Sequence, residues 1–173
     1  MRSAYQNMRH FWIHESKKDV KAKFPELGEN NIIIAGIEFS MEDHNKKEKN
    51  IFFASSTLGD TSMYFENNSP SGIGGLIAGD DAMVKEASKN LLDAASKAAS
   101  LMVVSDELPS ADLFKTTFFA VSKHTLYTKQ LTNEEGLDKE NPFHPFFKAA
   151  NKMLTALRVA DAKAKEAQSK ELK

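Results

Sequence analysis

The chain has 173 residues and a formal net charge of −1, with 23 Lys and Arg against 24 Asp and Glu, and it contains no cysteine. A chain of this length buries one ordinary hydrophobic core without disulfides or a structural metal, so one domain is expected. The balanced charge gives no overall field that would attract a nucleic acid or an anionic membrane. The missing cysteines exclude thiolate zinc sites, redox dithiols and cysteine nucleophiles.

The N-terminus and the length of the apolar runs indicate in which cell compartment the protein is expected. No apolar stretch follows residues 1–7, and the longest apolar run, at 32–37, is far shorter than the roughly 20 residues of a membrane span. The sequence therefore predicts a protein without a signal peptide or membrane contact, in the cytoplasm.

The first half of the chain predicts a helix followed by three strands. Apolar side chains recur about every four residues between Ser3 and Phe24, which indicates an amphipathic helix that Pro25 ends. Strands are expected at 31–39, 51–56 and 61–66, and the first of them is apolar on both faces and needs cover on both. Residues 41–49 form a lysine-rich connection, and residues 67–79 are rich in glycine and are predicted as a loop.

The second half predicts a helix, a β-hairpin and a last helix. The first of these helices is expected at about 80–104, and the hairpin strands at 114–122 and 125–131. The last helix begins near residues 142–145. The result is an α+β fold with an antiparallel sheet of about five strands, helices packed on it and the order α-β-β-β-α-β-β-α. One domain is expected at 1–160, with a solvent-exposed helical or frayed tail at 161–173.

The glycine-rich segment before the second helix suggests a phosphate loop, because such loops bring backbone amides to an anion at a helix N-terminus. It lacks the Gly-Lys-Ser/Thr ending, and Asp80 and Asp81 follow where a phosphate needs positive potential. These carboxylates instead suit a helix cap. A flexible connection is favoured, and the alternative is a ligand-binding loop that uses Ser71, Gly72, Gly74 and Gly75.

Three side chains are weak candidates for acid or base catalysis: Glu38, Asp60 and His124. Strand parity places Glu38 on a buried face with Ile32 and Ile34, where its pKa would be raised. The favoured interpretation is that Glu38 lies at the strand end and that its side chain reaches water. His124, at the hairpin tip, is interpreted as a turn residue.

His10 and His14 lie four residues apart, so their rings can share one helix face as metal ligands do. Glu15 does not complete a His-Glu-x-x-His motif, and no third ligand is specified. We therefore predict surface histidines, no metal and no cofactor. The lysines at 46–49 are diluted by acidic neighbours, which favours a solvated loop over nucleic-acid binding.

The aromatic residues offer candidate anchors. Trp12 is expected in the core or at an interface. Phe143, Phe146 and Phe147 stand beside two prolines and are expected to fix the last helix on the sheet. A partner-binding patch made of these four aromatic residues is the alternative.

The element order resembles that of class I secretion chaperones and, more loosely, that of roadblock or profilin-type domains, which are small dimerising binding modules. The resemblance lies in the order alone, and the balanced charge departs from the acidic surface of those chaperones. Because no catalytic set converges, the sequence favours a non-enzymatic, chaperone-like protein-binding or adaptor module that is homodimeric and binds another protein.

Two other functions stay open. One is a small-ligand or nucleotide-binding protein or small hydrolase, with residues 67–79 as a lid and Glu38, Asp60 or His124 as acid or base. The other is an inhibitor or immunity protein.

Overall fold

The structure, a computed structural model, describes residues 2–66 and 73–171, without the side chain of Glu171. Its helical elements are α1 (Ala4–His10), a π-helical turn (Phe11–Glu15), α2 (Ser16–Lys23), α3 (Ala82–Ala98), a 3-10 turn (Ala99–Leu101), α4 (Asn133–Leu137) and α5 (His144–Glu171). Its strands are β1 (Ile34–Glu42), β2 (Glu48–Ser56), β3 (Thr61–Glu66), β4 (Ile73–Ile77), β5 (Val103–Ser105), β6 (Lys115–Val121) and β7 (Leu126–Thr132).

All seven strands form one antiparallel sheet in the order β4-β3-β2-β1-β6-β7-β5. The α+β class and the antiparallel sheet are confirmed. The described residues contain seven strands and not about five, because β4 and β5 lie where the sequence predicts a loop and the end of a helix.

The first helix begins at a capping box. The Ser3 hydroxyl accepts from the amide of Gln6, and the Gln6 side chain accepts from the amide of Ser3. The π-helical turn then joins α1 to α2 without a break, and Pro25 follows α2. The buried side chains of this segment are Tyr5, Trp12, Ile13, Ser16 and Val20, so one side of the whole first helix is packed.

The sheet lies between two helical layers, as the doubly apolar first strand requires. Strand side chains alternate between the faces. On one side, which we call the two-helix face, Ile37, Phe53 and Phe118 pack with α3 and α5. On the other, the first-helix face, Phe52 and Phe119 pack with the first helix.

Two strands are the main departures from the expected elements. β4 occupies part of the expected loop, because the backbone of a glycine-rich segment can still pair with β3, here from Glu66↔Ile73 to Ser62↔Ile77. The sequence predicts a helix that continues to Val104, but α3 ends at Ala98 and Val104 belongs to β5. Its two valines suit a strand better than a helix.

Helix α5 crosses the sheet on the two-helix face. Near its start, Phe146 contacts Phe118 of β6, with ring centroids 5.1 Å apart. Further along, Leu154 and Phe39 of β1 line one cavity. One side of the helix is buried as far as Ala160, and residues 162–170 are exposed. Within the described ranges, no helix combines the length and apolar character of a membrane span.

Candidate functional site

Glu38 is the most deeply buried charged side chain among the candidates. It lies within β1 on the first-helix face and is only 1% exposed. The Tyr5 hydroxyl donates to its Oε1 atom at 2.8 Å, and Nε of Arg9 lies 2.9 Å from the same oxygen. The interpretation that Glu38 ends its strand and reaches water is wrong, because β1 continues to Glu42 and the first helix covers this face.

Burial dominates the protonation chemistry of this cluster. It raises the pKa of Glu38, while the positive charge of Arg9 and the hydrogen bond from Tyr5 oppose that rise. Burial also raises the pKa of Tyr5, and the Glu38 carboxylate adds to the effect. The cluster is an internal ion pair with a hydroxyl donor and is closed to a substrate.

The segment between β5 and β6 ties the first helix to the rest of the protein. Arg9 donates through Nη2 to the carbonyl of Leu108 at 3.0 Å, and Gln130 donates to the carbonyl of Ser110 at 2.9 Å. Arg9 therefore bridges Glu38 and this segment. Its role in the structure is to fix the first helix relative to β1.

A polar cavity of about 210 Å³ opens beside Arg9. It is lined by Arg2, Gln6, Arg9, His10, Ile13, His14, Glu107 and Leu108. The rings of His10 and His14 have centroids 4.5 Å apart and are both half-buried. Burial lowers the pKa of His14, and His10 lowers it further. Across the described ranges, no group of three or more His, Asp or Glu side chains is placed to hold a metal ion.

The other two acid or base candidates lie apart from Glu38. Asp60 is exposed in the turn between β2 and β3. His124 is exposed between β6 and β7, and its Nε2 atom lies 2.5 Å from Oε2 of Glu29. Both turns stand at the end of the sheet where β1 begins, since Ile34 pairs with Ser56 and Val121. The structure does not bring the three together.

The predicted loop and partner residues fall elsewhere than expected. Ser71 and Gly72 lie outside the described residues, and Gly74 and Gly75 belong to β4. Trp12, Phe143, Phe146 and Phe147 are all buried, so they present no surface to a partner here. Phe118 of β6 holds Phe143 and Phe146 at ring-centroid distances of 5.1 Å each, which fits the expected role of fixing the last helix.

An exposed apolar group that the sequence reasoning missed lies at the end of the sheet where β1 ends. We call it the end patch: Met41, Leu113 and Phe114, all exposed. The amide of Phe114 donates to the carbonyl of Ser40 at 3.2 Å, which holds the segment beside Met41. The sequence does contain a signal for this patch, since Leu113 and Phe114 are adjacent apolar residues before β6. Side chains of successive strand residues point to opposite faces, so one face of the sheet cannot bury both.

Phe114 has an unusual backbone for an aromatic residue. Its φ is +63°, in the left-handed region that bulky residues rarely adopt, and its side chain is 66% exposed. Charged pairs flank it and Met41, with 3.0 Å between Lys115 and Asp112 and 3.3 Å between Lys49 and Asp43. An apolar centre with a polar rim is typical of a protein-binding surface.

Comparison with protein-family models, with curated proteins and with solved structures gives no match to this chain.

Proposed function

We propose that this chain is a non-enzymatic protein-binding module that binds an apolar segment of another protein at the end patch. The observation that supports this most is Phe114. A large aromatic side chain is held in solvent by a backbone conformation that costs of order 1–3 kcal/mol. Stability alone does not account for such a residue, whereas a partner that buries the ring would.

The placement of the titratable candidates also favours binding over hydrolysis. Glu38 is enclosed with Arg9 and Tyr5, while Asp60 and His124 stand on exposed turns. An acid and a base have to reach one substrate together. The end patch has instead the composition that a binding surface needs.

The experiment is a selection of random phage-displayed peptides on the immobilised full chain, followed by fluorescence polarisation with an enriched synthetic peptide. We expect apolar or aromatic peptides whose affinity falls about tenfold or more with Phe114→Asn and with Met41→Ser. The matched control is Phe11→Ala, which removes another exposed phenylalanine but lies on the first helix. Binding should survive that change.

Two results would count against the proposal. One is a selection in which no peptide is enriched over uncoated support. The other is an enriched peptide whose affinity is unchanged by Phe114→Asn and Met41→Ser, which would place the binding surface elsewhere.

A further inference from the structure

Three features on the β4 side of the sheet have no role in the binding proposed above. The first is β4 itself, which ends the sheet. The second is the extension of α5 beyond Ala160, of which residues 162–170 are exposed. The third is an apolar strip beside the end patch, formed by Ile51 and Phe65 on the two-helix face. Together they fit one arrangement of two copies of this chain.

The backbone of β4 offers a template for another strand. The amide of Ala78 donates to the carbonyl of Thr61 at 3.0 Å, so with this register Leu76 and Gly74 also face β3. Gly75 and Ile77 therefore direct their backbone groups outward. Natural edge strands usually carry charges or proline that discourage pairing, and β4 contains neither.

The direction of α5 takes its extension past this edge. The helix starts over β6, passes Phe39 of β1, and reaches Asp81 just after β4, where Lys163 lies 3.3 Å from the Asp81 carboxylate. Residues 161–171 continue for about 16 Å beyond Ala160 at 1.5 Å per residue. An isolated helix of this length is marginal in water, so a second surface that covers it would stabilise it.

The apolar strip is a surface that such a helix could cover. Ile51 pairs with Phe65 and with Phe39, so all three share the two-helix face. Phe65 is exposed and Ile51 half-buried, and both line a cavity of about 200 Å³. The other residues that line it are Met41, Asp43, Lys49 and Glu66. Helix α5 lies on the same face of the sheet.

We propose that two copies of the chain form a twofold dimer by antiparallel pairing of their β4 strands, with each α5 extension lying over the apolar strip of the other copy. The twofold axis passes opposite Leu76, so Gly75 of each copy hydrogen-bonds with Ile77 of the other. The interface is isologous and closes on itself. The strip adjoins the end patch, because Met41 lines the same cavity, but the β4 edge lies four strands away from the start of β6 beside Phe114, so pairing of the β4 strands is tested separately from peptide binding.

The side chains suit this register. Ile77 is 81% exposed, and in the pair its side chain stands beside Gly75 of the second copy, which has none. Ala160, Ala164 and Ala167 continue the sheet-facing side of α5 at helical spacing, so the extension can approach the second sheet closely.

Sedimentation equilibrium of the full chain tests the dimer. We expect a dimer whose dissociation constant rises at least about tenfold with Ile77→Lys, because the change puts a charge on the pairing edge. The matched control is Val104→Lys, a 69% exposed valine on β5 at the opposite edge, which should leave the dimer intact. A monomeric wild-type chain, or a dimer broken by Val104→Lys and not by Ile77→Lys, would overturn the proposal.

The register has its own test, because the chain has no cysteine of its own. Residues directly opposite in a non-hydrogen-bonded antiparallel pair have Cα atoms about 4.5 Å apart, within reach of a disulfide. Leu76→Cys should therefore cross-link to a covalent dimer under mild oxidation, and Ile77→Cys should cross-link much more slowly. The reverse order would contradict the position of the axis, and circular dichroism of each variant checks that it is folded.

Truncation after Ala160 tests the extension. The shortened chain should dimerise at least about tenfold more weakly, and so should the full chain with Phe65→Ser. If both changes leave the dissociation constant unaltered, the extension does not cover the strip, and that part of the proposal is wrong.

Discussion

Arg9 on the first helix and Glu38 on β1 form a buried ion pair, with 2.9 Å between Nε and Oε1. The same guanidinium reaches the carbonyl of Leu108, so one side chain joins the helix, the central strand and the segment between β5 and β6. Moving a charged group out of water costs free energy. Arg9, Tyr5 and the Leu108 carbonyl offset that cost for this ion pair, and loss of any one of them leaves a buried charge less well paired.

The first prediction concerns Glu38 and pH. Burial raises its folded-state pKa above the unfolded value of about 4.3, despite Arg9 and Tyr5. The folded protein then binds this proton more tightly than the unfolded chain does. The contribution of Glu38 to the free energy of unfolding is therefore fully present below about pH 4.3 and is lost as pH rises through the folded-state pKa. Urea unfolding measured from about pH 4.5 to about pH 8 should show this loss, and Glu38→Gln should flatten it.

The control for this prediction is Glu86→Gln, an exposed carboxylate on α3. It should leave the pH profile of the unfolding free energy unchanged. A Glu38→Gln profile that matches the wild-type profile would show that Glu38 does not titrate as described.

The second prediction concerns the histidine pair. Burial, followed by His10, lowers the pKa of His14 below its ordinary value of about 6.5. Its contribution to stability is therefore present above that value and falls as pH drops through about 6.5 toward the folded pKa. In an NMR titration, His10→Gln should move the pKa of His14 only part of the way back up, because burial is the larger cause. Full recovery would mean that the pair interaction dominates.

The third prediction concerns close packing at Gly36. A Cβ atom there would collide with the carbonyl oxygen of Phe53 and would lie 2.6 Å from the ring of Phe119. Gly36→Ala should therefore lower the unfolding free energy by about 3 kcal/mol or more, measured by urea denaturation. Gly28→Ala is the matched control, because the added atom meets only the side chain of Asn31, and it should change stability by less than about 1 kcal/mol.

The fourth prediction separates binding from stability at Phe114. Asparagine tolerates the left-handed backbone, so Phe114→Asn should leave the unfolding free energy unchanged or raise it by up to about 1 kcal/mol. Phe114→Val should lower it by about 1 kcal/mol, because a β-branched residue is strained there. Thermal unfolding of the two variants checks the ranking, and the opposite order would remove the evidence for strain.

The sequence predicted most of the strands that bury apolar side chains. The expected strand at 61–66 coincides with β3, and the hairpin at 114–131 appears as β6 and β7. These segments are rich in β-branched and aromatic residues, whose local preference agrees with their final environment. The polar ends of β1 and β2 gave no such signal, and this is why Glu38 was placed at a strand end.

The conformations of β4 and of the end patch depend on contacts with residues outside these short stretches of sequence, so local patterns do not predict them. The Gly74-Gly75 pair suggests a loop until β3 supplies its hydrogen-bonding partner. Phe114 looks like the first residue of a strand until Ser40 fixes its amide. The four aromatic candidates for partner binding were recognised as anchors, but aromatic content alone cannot distinguish an anchor inside the protein from one on its surface.

The central position of β1 sets the order in which this protein can assemble during synthesis. The first residue of β1, Ile34, pairs with Val121, and Arg9 on the first helix donates a hydrogen bond to the carbonyl of Leu108. A nascent chain that has emerged only as far as α3 therefore lacks the strand that flanks β1 on one side. Its first helix cannot yet make the Arg9–Leu108 contact. We expect folding to be completed after most of the chain has left the ribosome, and at a rate limited by these distant pairings.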